Sequence, residues 1–300
     1  MVKKQSIQDF ENMKIGMFIH FGLYSQVGKG EWYMHNDNVD PKEYDKLIDT
    51  FYAKKDWAKE IVSTAKKYGF KYIVLTTRHH DGFSLYDTKG LTHYDAVHSP
   101  IKRDLVREFV DECNEQGIVP FFYATLIDWH NDLFKTDFDA YLTFLRESIK
   151  ILCTNYGKIG GFWFDGTWSD KKINWCFDKL FGIIRKYQPN ALIINNGGEE
   201  DRGEIIDKEI DVIEFERYKP FVVQSDDKYR AKEMCQTITR HWGYFKNDQY
   251  KTPQELADDY SFCKKNHANF LLNCGPLPDG TIDSRDIKIL SEFSKIIKNN

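Results

Sequence analysis

Two carboxylates in this 300-residue chain lie where short apolar runs end. Asp165 follows the run 161–164, with Gly166 after it, and Glu216 follows the run 212–215. Such runs are typical of buried strands, and α/β enzymes hold reactive groups at the carboxyl ends of parallel strands. Glycoside hydrolysis needs one carboxylate that attacks or activates water and one carboxyl group that protonates the leaving oxygen. We therefore predict Asp165 as the nucleophile and Glu216 as the acid/base.

Two further glutamates compete with Glu216 for the acid/base role. Side-chain alternation along a strand gives Glu214 and Glu216 the same face, so the pattern does not separate them. Glu233 precedes the predicted seventh strand, at its amino end, which is a poorer position for a catalytic group.

The elements that must position these residues alternate between strands and helices. Helical spacing of apolar residues occurs in several of the intervening segments, for example before Gly69 and before Gly117. Eight strands alternating with helices predict a parallel (β/α)₈ barrel of the TIM type, irregular between residues 191 and 238. No linker divides the chain, so we predict one catalytic domain over residues 1–300. The predicted strands are 15–21, 72–76, 119–123, 161–164, 191–194, 212–215, 235–238 and 269–273.

Other residues at the strand ends suit the recognition of hydroxyl groups. Trp32, Trp163 and Trp242 are either core residues or platforms for the apolar face of a sugar. His79 and His80 are adjacent and would point to opposite sides, which disfavours a chelating pair. Metal-ligand spacing, a phosphate-binding glycine loop and a nucleophile elbow are absent from the sequence. We therefore expect neither a metal nor another cofactor.

Composition excludes several classes of partner. The formal net charge is −4 and no dense basic block occurs, which argues against nucleic acid and anionic membranes. The six cysteines show no Cys-x-x-Cys spacing and are expected to be buried free thiols. The start of the chain has no apolar signal core, and no apolar run is long enough to span a bilayer. We expect a cytoplasmic protein.

Four segments, 14–22, 72–83, 163–166 and 269–276, resemble the α-L-fucosidases of glycoside hydrolase family 29. The resemblance implies hydrolysis of terminal α-L-fucose, with retention, from a fucosylated oligosaccharide or a small fucoside. It implies that Asp165 is the nucleophile, and segment 215–220 resembles the one that carries the acid/base in several members, which favours Glu216. By position it assigns these residues to the fucose pocket: His20, Glu31, Trp32, His79, His80, Tyr123 and Trp163.

The chain departs from the family pattern at two places. Many members have Asn-Asp-Arg after the fifth strand, where this chain has Asn195-Asn196-Gly197, and Arg202 could substitute only through loop geometry. Most members continue into a C-terminal β-sandwich that we expect this chain to lack. One pocket wall would then come from elsewhere or from a second subunit of a homo-oligomer. The alternatives are a fucose-binding protein with weakened catalysis and a glycosidase for a related sugar such as galactose.

Overall fold

The eight strands close into a parallel barrel in chain order, and the last strand pairs with the first. The structure, a computed structural model, describes residues 4–223 and 228–299. The predicted barrel is confirmed, and every predicted strand is present, with small changes at the ends of all but β7. The strands are β1 (Ile15–Ile19), β2 (Tyr72–Arg78), β3 (Val119–Thr125), β4 (Gly161–Asp165), β5 (Leu192–Asn195), β6 (Val212–Glu216), β7 (Ala231–Thr237) and β8 (Asn269–Cys274).

The longer helices end and begin at residues suited to those positions. Gly69 and Gly117 adopt the left-handed conformation that ends a helix, while Asp104 and Thr252 accept backbone hydrogen bonds at helix starts. The helices are α1 (Lys4–Met13), α2 (Tyr33–Asn36), α3 (Pro41–Asp45), α4 (Trp57–Tyr68), α5 (Leu105–Gln116), α6 (Leu133–Thr136), α7 (Phe138–Asn155), α8 (Phe177–Tyr187), α9 (Pro253–Lys265) and α10 (Ser284–Asn299).

Alternate residues of each strand face the barrel interior. In β4, Phe162 and Phe164 pack outward in the layer between strands and helices, whereas Trp163 packs among the interior side chains. The helix α1 closes the amino end of the barrel, where its Ile7 and Phe10 join the interior cluster. The carboxyl end is left open for a site.

The barrel is irregular where the sequence predicted it. No helix separates β5 from β6, nor β6 from β7, within residues 4–223 and 228–299. The predicted start of β7 is wrong, because β7 begins at Ala231 and Glu233 therefore lies inside the strand. The buried charge at Glu233 interrupts the apolar run by which a buried strand is recognised.

The cysteines are free thiols and most of them are buried, as the sequence predicted. All six cysteines are free, five of them are buried, and Cys176 is half-buried. Within the described chain, the helices are too short or too polar to cross a membrane.

Candidate active site

A cavity of 380 Å³ lies at the carboxyl ends of the strands. Both predicted catalytic residues, Asp165 and Glu216, line it. Six of the eight predicted sugar-binding residues also line it, namely His20, Trp32, His79, Tyr123, Trp163 and Trp242. Its remaining lining residues, which the sequence did not assign to substrate binding, are Phe18, Trp168, Lys171, Asn196 and residues 197–201.

Asp165 is buried and accepts hydrogen bonds on both carboxylate oxygens. Its Oδ1 atom accepts from the backbone N–H of Gly166 at 2.9 Å, from Nε1 of Trp168 at 2.8 Å and from Nδ2 of Asn196 at 3.2 Å. Its Oδ2 atom accepts from the hydroxyl of Tyr123 at 2.9 Å. The carboxylate is therefore held in one orientation by donors from β3, from the residue after β5 and from the turn after β4.

These contacts keep Asp165 ionised. Burial by itself would raise the pKa of Asp165, but His80, Trp168 and Tyr123 together hold it below its usual value. Nε2 of His80 lies 3.3 Å from Oδ2, whereas the Trp168 indole donates to Oδ1. An ionised carboxylate is the form that a nucleophile requires.

A tight turn returns Trp168 to the aspartate. Gly166 has φ +108°, in the left-handed region that favours glycine, and it precedes a short 3₁₀ turn over Thr167–Ser169. The Trp168 ring is then held between Trp32, which stacks on it with ring centroids 5.4 Å apart, and Gly198, whose added Cβ would lie 3.0 Å from the indole. The turn therefore places the indole N–H against the carboxylate.

Glu216 faces Asp165 across a single amide group. Nδ2 of Asn196 donates to Oε2 of Glu216 at 2.7 Å as well as to Asp165. Burial and the negative charge of Asp165 raise the pKa of Glu216 to about 7, and the bond from Asn196 opposes that rise. Glu216 can thus carry a proton at neutral pH beside an ionised neighbour.

The two competing glutamates lie deeper in the barrel. Glu214 does share the inward face with Glu216, as strand alternation predicts, but it is only 1% exposed. Glu233 is fully buried opposite it and bonds to Tyr72 and Trp163. Neither side chain lines the cavity, so neither is placed to protonate a leaving group.

His20 has its tautomer fixed by a neighbour. Nδ2 of Asn273 donates to the carbonyl of Trp242, so Oδ1 of Asn273 accepts from Nδ1 of His20, at 2.7 Å. Burial lowers the pKa of His20 to about 3, which keeps the ring neutral. Its Nε2 atom is left as an acceptor for a hydroxyl group.

The two adjacent histidines take different places. His79 lines the cavity and stacks on Tyr123, with ring centroids 5.4 Å apart, and burial holds its pKa well below the usual value. His80 lies behind the cavity lining, where Nδ1 donates to the Thr125 hydroxyl at 2.6 Å, because that hydroxyl donates to the carbonyl of Ile127. His80 thus supports the Asp165 carboxylate from behind.

Glu31, a predicted sugar-binding residue, also lies outside the lining. Its Oε2 atom accepts from the backbone N–H groups of Trp242 and Gly243, at 3.1 and 2.7 Å. Glu31 therefore anchors the loop that carries Trp242 into the cavity wall.

Arg202 does not take the place, beside Asp165, of the arginine in the Asn-Asp-Arg pattern. Arg202 donates from Nε to the backbone carbonyl of Glu216 at 2.7 Å, and its guanidinium lies over the ring of Tyr218. It supports the end of β6, while the amide of Asn196 contacts both carboxylates. Within residues 4–223 and 228–299, no group of three or more His, Cys, Asp or Glu side chains is arranged to hold a metal.

Phe18, Trp168 and Asn196 are three of the lining residues that the sequence did not assign to substrate binding. Phe18 is an inward residue of β1 beside His20, and its ring lies edge-on to Trp163 at 4.9 Å and to Trp242 at 5.9 Å. Trp168 and Asn196 both follow strand ends, a position that could have indicated them. Their hydrogen bonds to Asp165 depend on loop conformations that the sequence pattern does not specify.

A parallel barrel that holds an ionised carboxylate beside a protonatable one, in a cavity lined by histidine and tryptophan, is the arrangement of a glycoside hydrolase. A sequence profile described as Alpha-L-fucosidase matches residues 1–300. The chain belongs to the alpha-L-fucosidase family.

Solved structures of the family are similar over nearly all of this chain. Alpha-L-fucosidase isoenzyme 1 from Paenibacillus thiaminolyticus is 35% identical, with a TM-score of 0.89, over 99% of this chain and 76% of that one. Alpha-L-fucosidase AlfC from Lactobacillus casei, in complex with α-L-fucose product, is 25% identical, with a TM-score of 0.85, over 99% of both chains. The alpha-L-fucosidase 1 of Arabidopsis thaliana is 28% identical over 94% of this chain, which spans 57% of that protein.

Proposed function

We propose that this protein is a retaining, exo-acting α-L-fucosidase that removes terminal α-L-fucose from glycans or small fucosides. The observation that carries the proposal is the pair Asp165 and Glu216, one ionised and one protonatable, joined by the amide of Asn196 inside an aromatic cavity. Two such groups are the minimum for hydrolysis by double displacement.

Each carboxyl group has one role in each step. Asp165 attacks the anomeric carbon while Glu216 gives its proton to the glycosidic oxygen, so that the leaving group departs neutral and a fucosyl ester forms on Asp165. Glu216, now a carboxylate, takes a proton from water as that water attacks the same carbon. The ester bond breaks, fucose leaves, and both groups return to their starting states.

The spacing of the two carboxyl groups supports retention. Oδ1 of Asp165 and Oε2 of Glu216 lie 3.2 and 2.7 Å from the same nitrogen, so they are at most about 6 Å apart, near the ~5–5.5 Å of retaining enzymes. Inverting enzymes need a wider gap, because a water molecule must lie between the sugar and the base.

The apolar corner of the cavity favours a 6-deoxy sugar. The rings of Phe18, Trp163 and Trp242 converge there, and these side chains can contact a methyl group but offer no hydrogen-bond acceptor to a hydroxyl group. Galactose carries a hydroxymethyl group where fucose carries a methyl group, so we expect the fucoside to be the better substrate. A matched aryl α-L-fucoside and aryl galactoside test this, and comparable kcat/KM values for the two would contradict it.

The test of the function is turnover with identification of the first-formed anomer. We expect NMR to show the α-anomer of fucose first, and we expect Asp165→Asn to lose nearly all activity with an unchanged melting temperature. Asp170→Asn, an exposed change in the same loop, is the control and should keep full activity. Full activity of Asp165→Asn would refute the assignment, and fucose binding without turnover by the wild type would indicate a binding protein.

A further inference from the structure

Two carboxyl groups lie inside the barrel below the cavity, where the mechanism does not use them. Glu214 on β6 and Glu233 on β7 are direct partners in the register of the two strands. They are 1% and 0% exposed. Their neighbours along the two strands, Val212, Ala231 and Cys235, belong to the interior cluster.

Glu233 is rich in hydrogen-bond donors, whereas Glu214 is not. The Tyr72 hydroxyl donates to Oε2 of Glu233, and Nε1 of Trp163 donates to its Oε1 at 3.1 Å. Glu214 accepts from the backbone N–H of Cys235 on Oε1, at 2.9 Å, and its Oε2 is buried without a hydrogen-bond partner.

Within residues 4–223 and 228–299, no ion pair includes Glu214 or Glu233, and no cation is among the groups that shift their pKa values. The groups that face them are the Tyr72 phenol, the Trp163 indole and the Cys235 thiol, all of which carry no positive charge. Two uncompensated carboxylates this close together in a dry interior cannot both be ionised.

We propose that Glu214 and Glu233 share one proton, carried by Glu214, and that Glu233 thereby positions Trp163 in the floor of the sugar pocket. A proton on Oε2 of Glu214 gives that orphaned atom a partner and removes one of the two buried charges. Burial raises the pKa of both groups, and the charge of Glu233 raises that of Glu214 further. Glu233 then accepts three hydrogen bonds, from Tyr72, Trp163 and Glu214.

The pair is connected to the nucleophile through stacked rings. Trp163 stacks on Tyr123 with centroids 5.7 Å apart, and the Tyr123 hydroxyl donates to Asp165. Both rings line the cavity, so the hydrogen bond that Trp163 donates to Glu233 fixes the orientation of the cavity floor. Glu233 acts here as a positioning residue.

Two variants test the proton on Glu214 and the acceptor oxygens of Glu233 separately. Glu214→Gln imitates the protonated acid, because its amide N–H donates to Glu233 and its oxygen still accepts from Cys235. Glu233→Leu removes both acceptor oxygens at similar volume. The indole N–H of Trp163, which can only donate, then has no partner in place of Glu233.

An infrared difference spectrum tests the shared proton without any substrate. Wild type minus Glu214→Gln at neutral pH should contain the carbonyl stretch of one buried carboxylic acid. Other protonated carboxyl groups, such as Glu216, are common to both proteins and cancel. A difference spectrum without that band would overturn the shared proton.

Steady-state kinetics test the positioning role, which rests on the proposed fucosidase function. An unsatisfied buried donor under the sugar weakens ground-state and transition-state binding alike, so Glu233→Leu should raise KM about tenfold with little change in kcat. Glu214→Gln should keep both constants within about twofold. Tyr72→Phe is the matched control, since it removes a donor to Glu233 but leaves Trp163 bonded, and its KM should not change.

The outcomes separate the hypotheses. A KM for Glu233→Leu equal to that of wild type would overturn the positioning role, and equal damage from Glu214→Gln would overturn the assignment of the proton. If Glu233→Leu does not fold, the double variant with Glu214→Leu, which leaves no carboxyl group in this part of the barrel, replaces it with the same expected rise in KM. If the wild type turns over no fucoside, the proposed function fails, while the infrared result still decides on the proton.

Discussion

Replacing Asn196 with alanine is expected to move the basic limb of the pH–rate profile to higher pH. Burial and the charge of Asp165 raise the pKa of Glu216 to about 7, and the hydrogen bond from Asn196 opposes them by stabilising the carboxylate. Without that bond the pKa of Glu216 rises further. In the proposed mechanism Glu216 acts as an acid in the first step, so its protonated and active form then persists to higher pH.

The size of the shift in the basic limb follows from the energy of the hydrogen bond that is lost. A hydrogen bond to a charged group contributes about 1.5–3 kcal/mol, and a tenfold change in an acid constant corresponds to about 1.4 kcal/mol. Because the cavity admits water that can replace the amide, we take the lower end and expect the basic limb to rise by about one pH unit. Asp165 has a longer bond to Asn196, 3.2 Å, and keeps its other donors, so the acid limb should move by less than about half a unit.

The assay is kcat/KM against pH with a fucoside that has a poor leaving group. Such a substrate needs protonation, and kcat/KM reports the pKa values of the free enzyme. Asn195→Ala is the control, because Nδ2 of Asn195 donates to the hydroxyl of Thr167 and to neither carboxyl group. An unmoved basic limb in Asn196→Ala, or an equal movement in Asn195→Ala, would refute the reasoning.

Three other changes test separate parts of the structure. Trp168→Phe removes the indole donor from Asp165 and should raise the acid limb of the same profile by about one pH unit, whereas Trp129→Phe, a neighbour with no bond to Asp165, should leave it in place. Phe18→Leu opens the apolar corner and should reduce the preference for fucoside over galactoside about tenfold, measured as the ratio of kcat/KM values. Burial raises the pKa of Asp286 to about 7, so the folded protein loses stability as pH rises from the unfolded pKa of about 4 through 7. Asp286→Asn should therefore raise the melting temperature at pH above about 7 and leave it nearly unchanged near pH 4, and equal melting curves at both pH values would contradict the burial argument.

The strands were predictable because each is buried on both faces. The run before Asp165 is continuous in apolar residues, since Phe162 and Phe164 face the helices while Trp163 faces the interior. The same alternation of side chains points Asp165, the residue after Phe164 at the carboxyl end of β4, into the barrel. Local sequence therefore suffices to indicate this residue.

The proposed acid/base, Glu216, could not be separated from its competitors in this way. Glu214 and Glu216 lie two residues apart and therefore point to the same side of β6. They differ only in their depth along the strand, which determines whether the cavity reaches them. The sequence places Glu233 before β7 rather than inside it, because the burial of Glu233 depends on Glu214 and Tyr72, which lie far away in the sequence. The position of the cavity floor is a property of the closed barrel.

The sequence by itself determined the barrel, its irregular half and the place of Asp165, because apolar periodicity and strand ends are local properties. Only the tertiary structure decided which residues surround that carboxylate. Trp168 reaches it through a turn after β4, Asn196 from the end of β5 and Tyr123 from β3. These contacts set the protonation states on which the chemistry depends, and they arise only when the closed barrel brings the strand ends together.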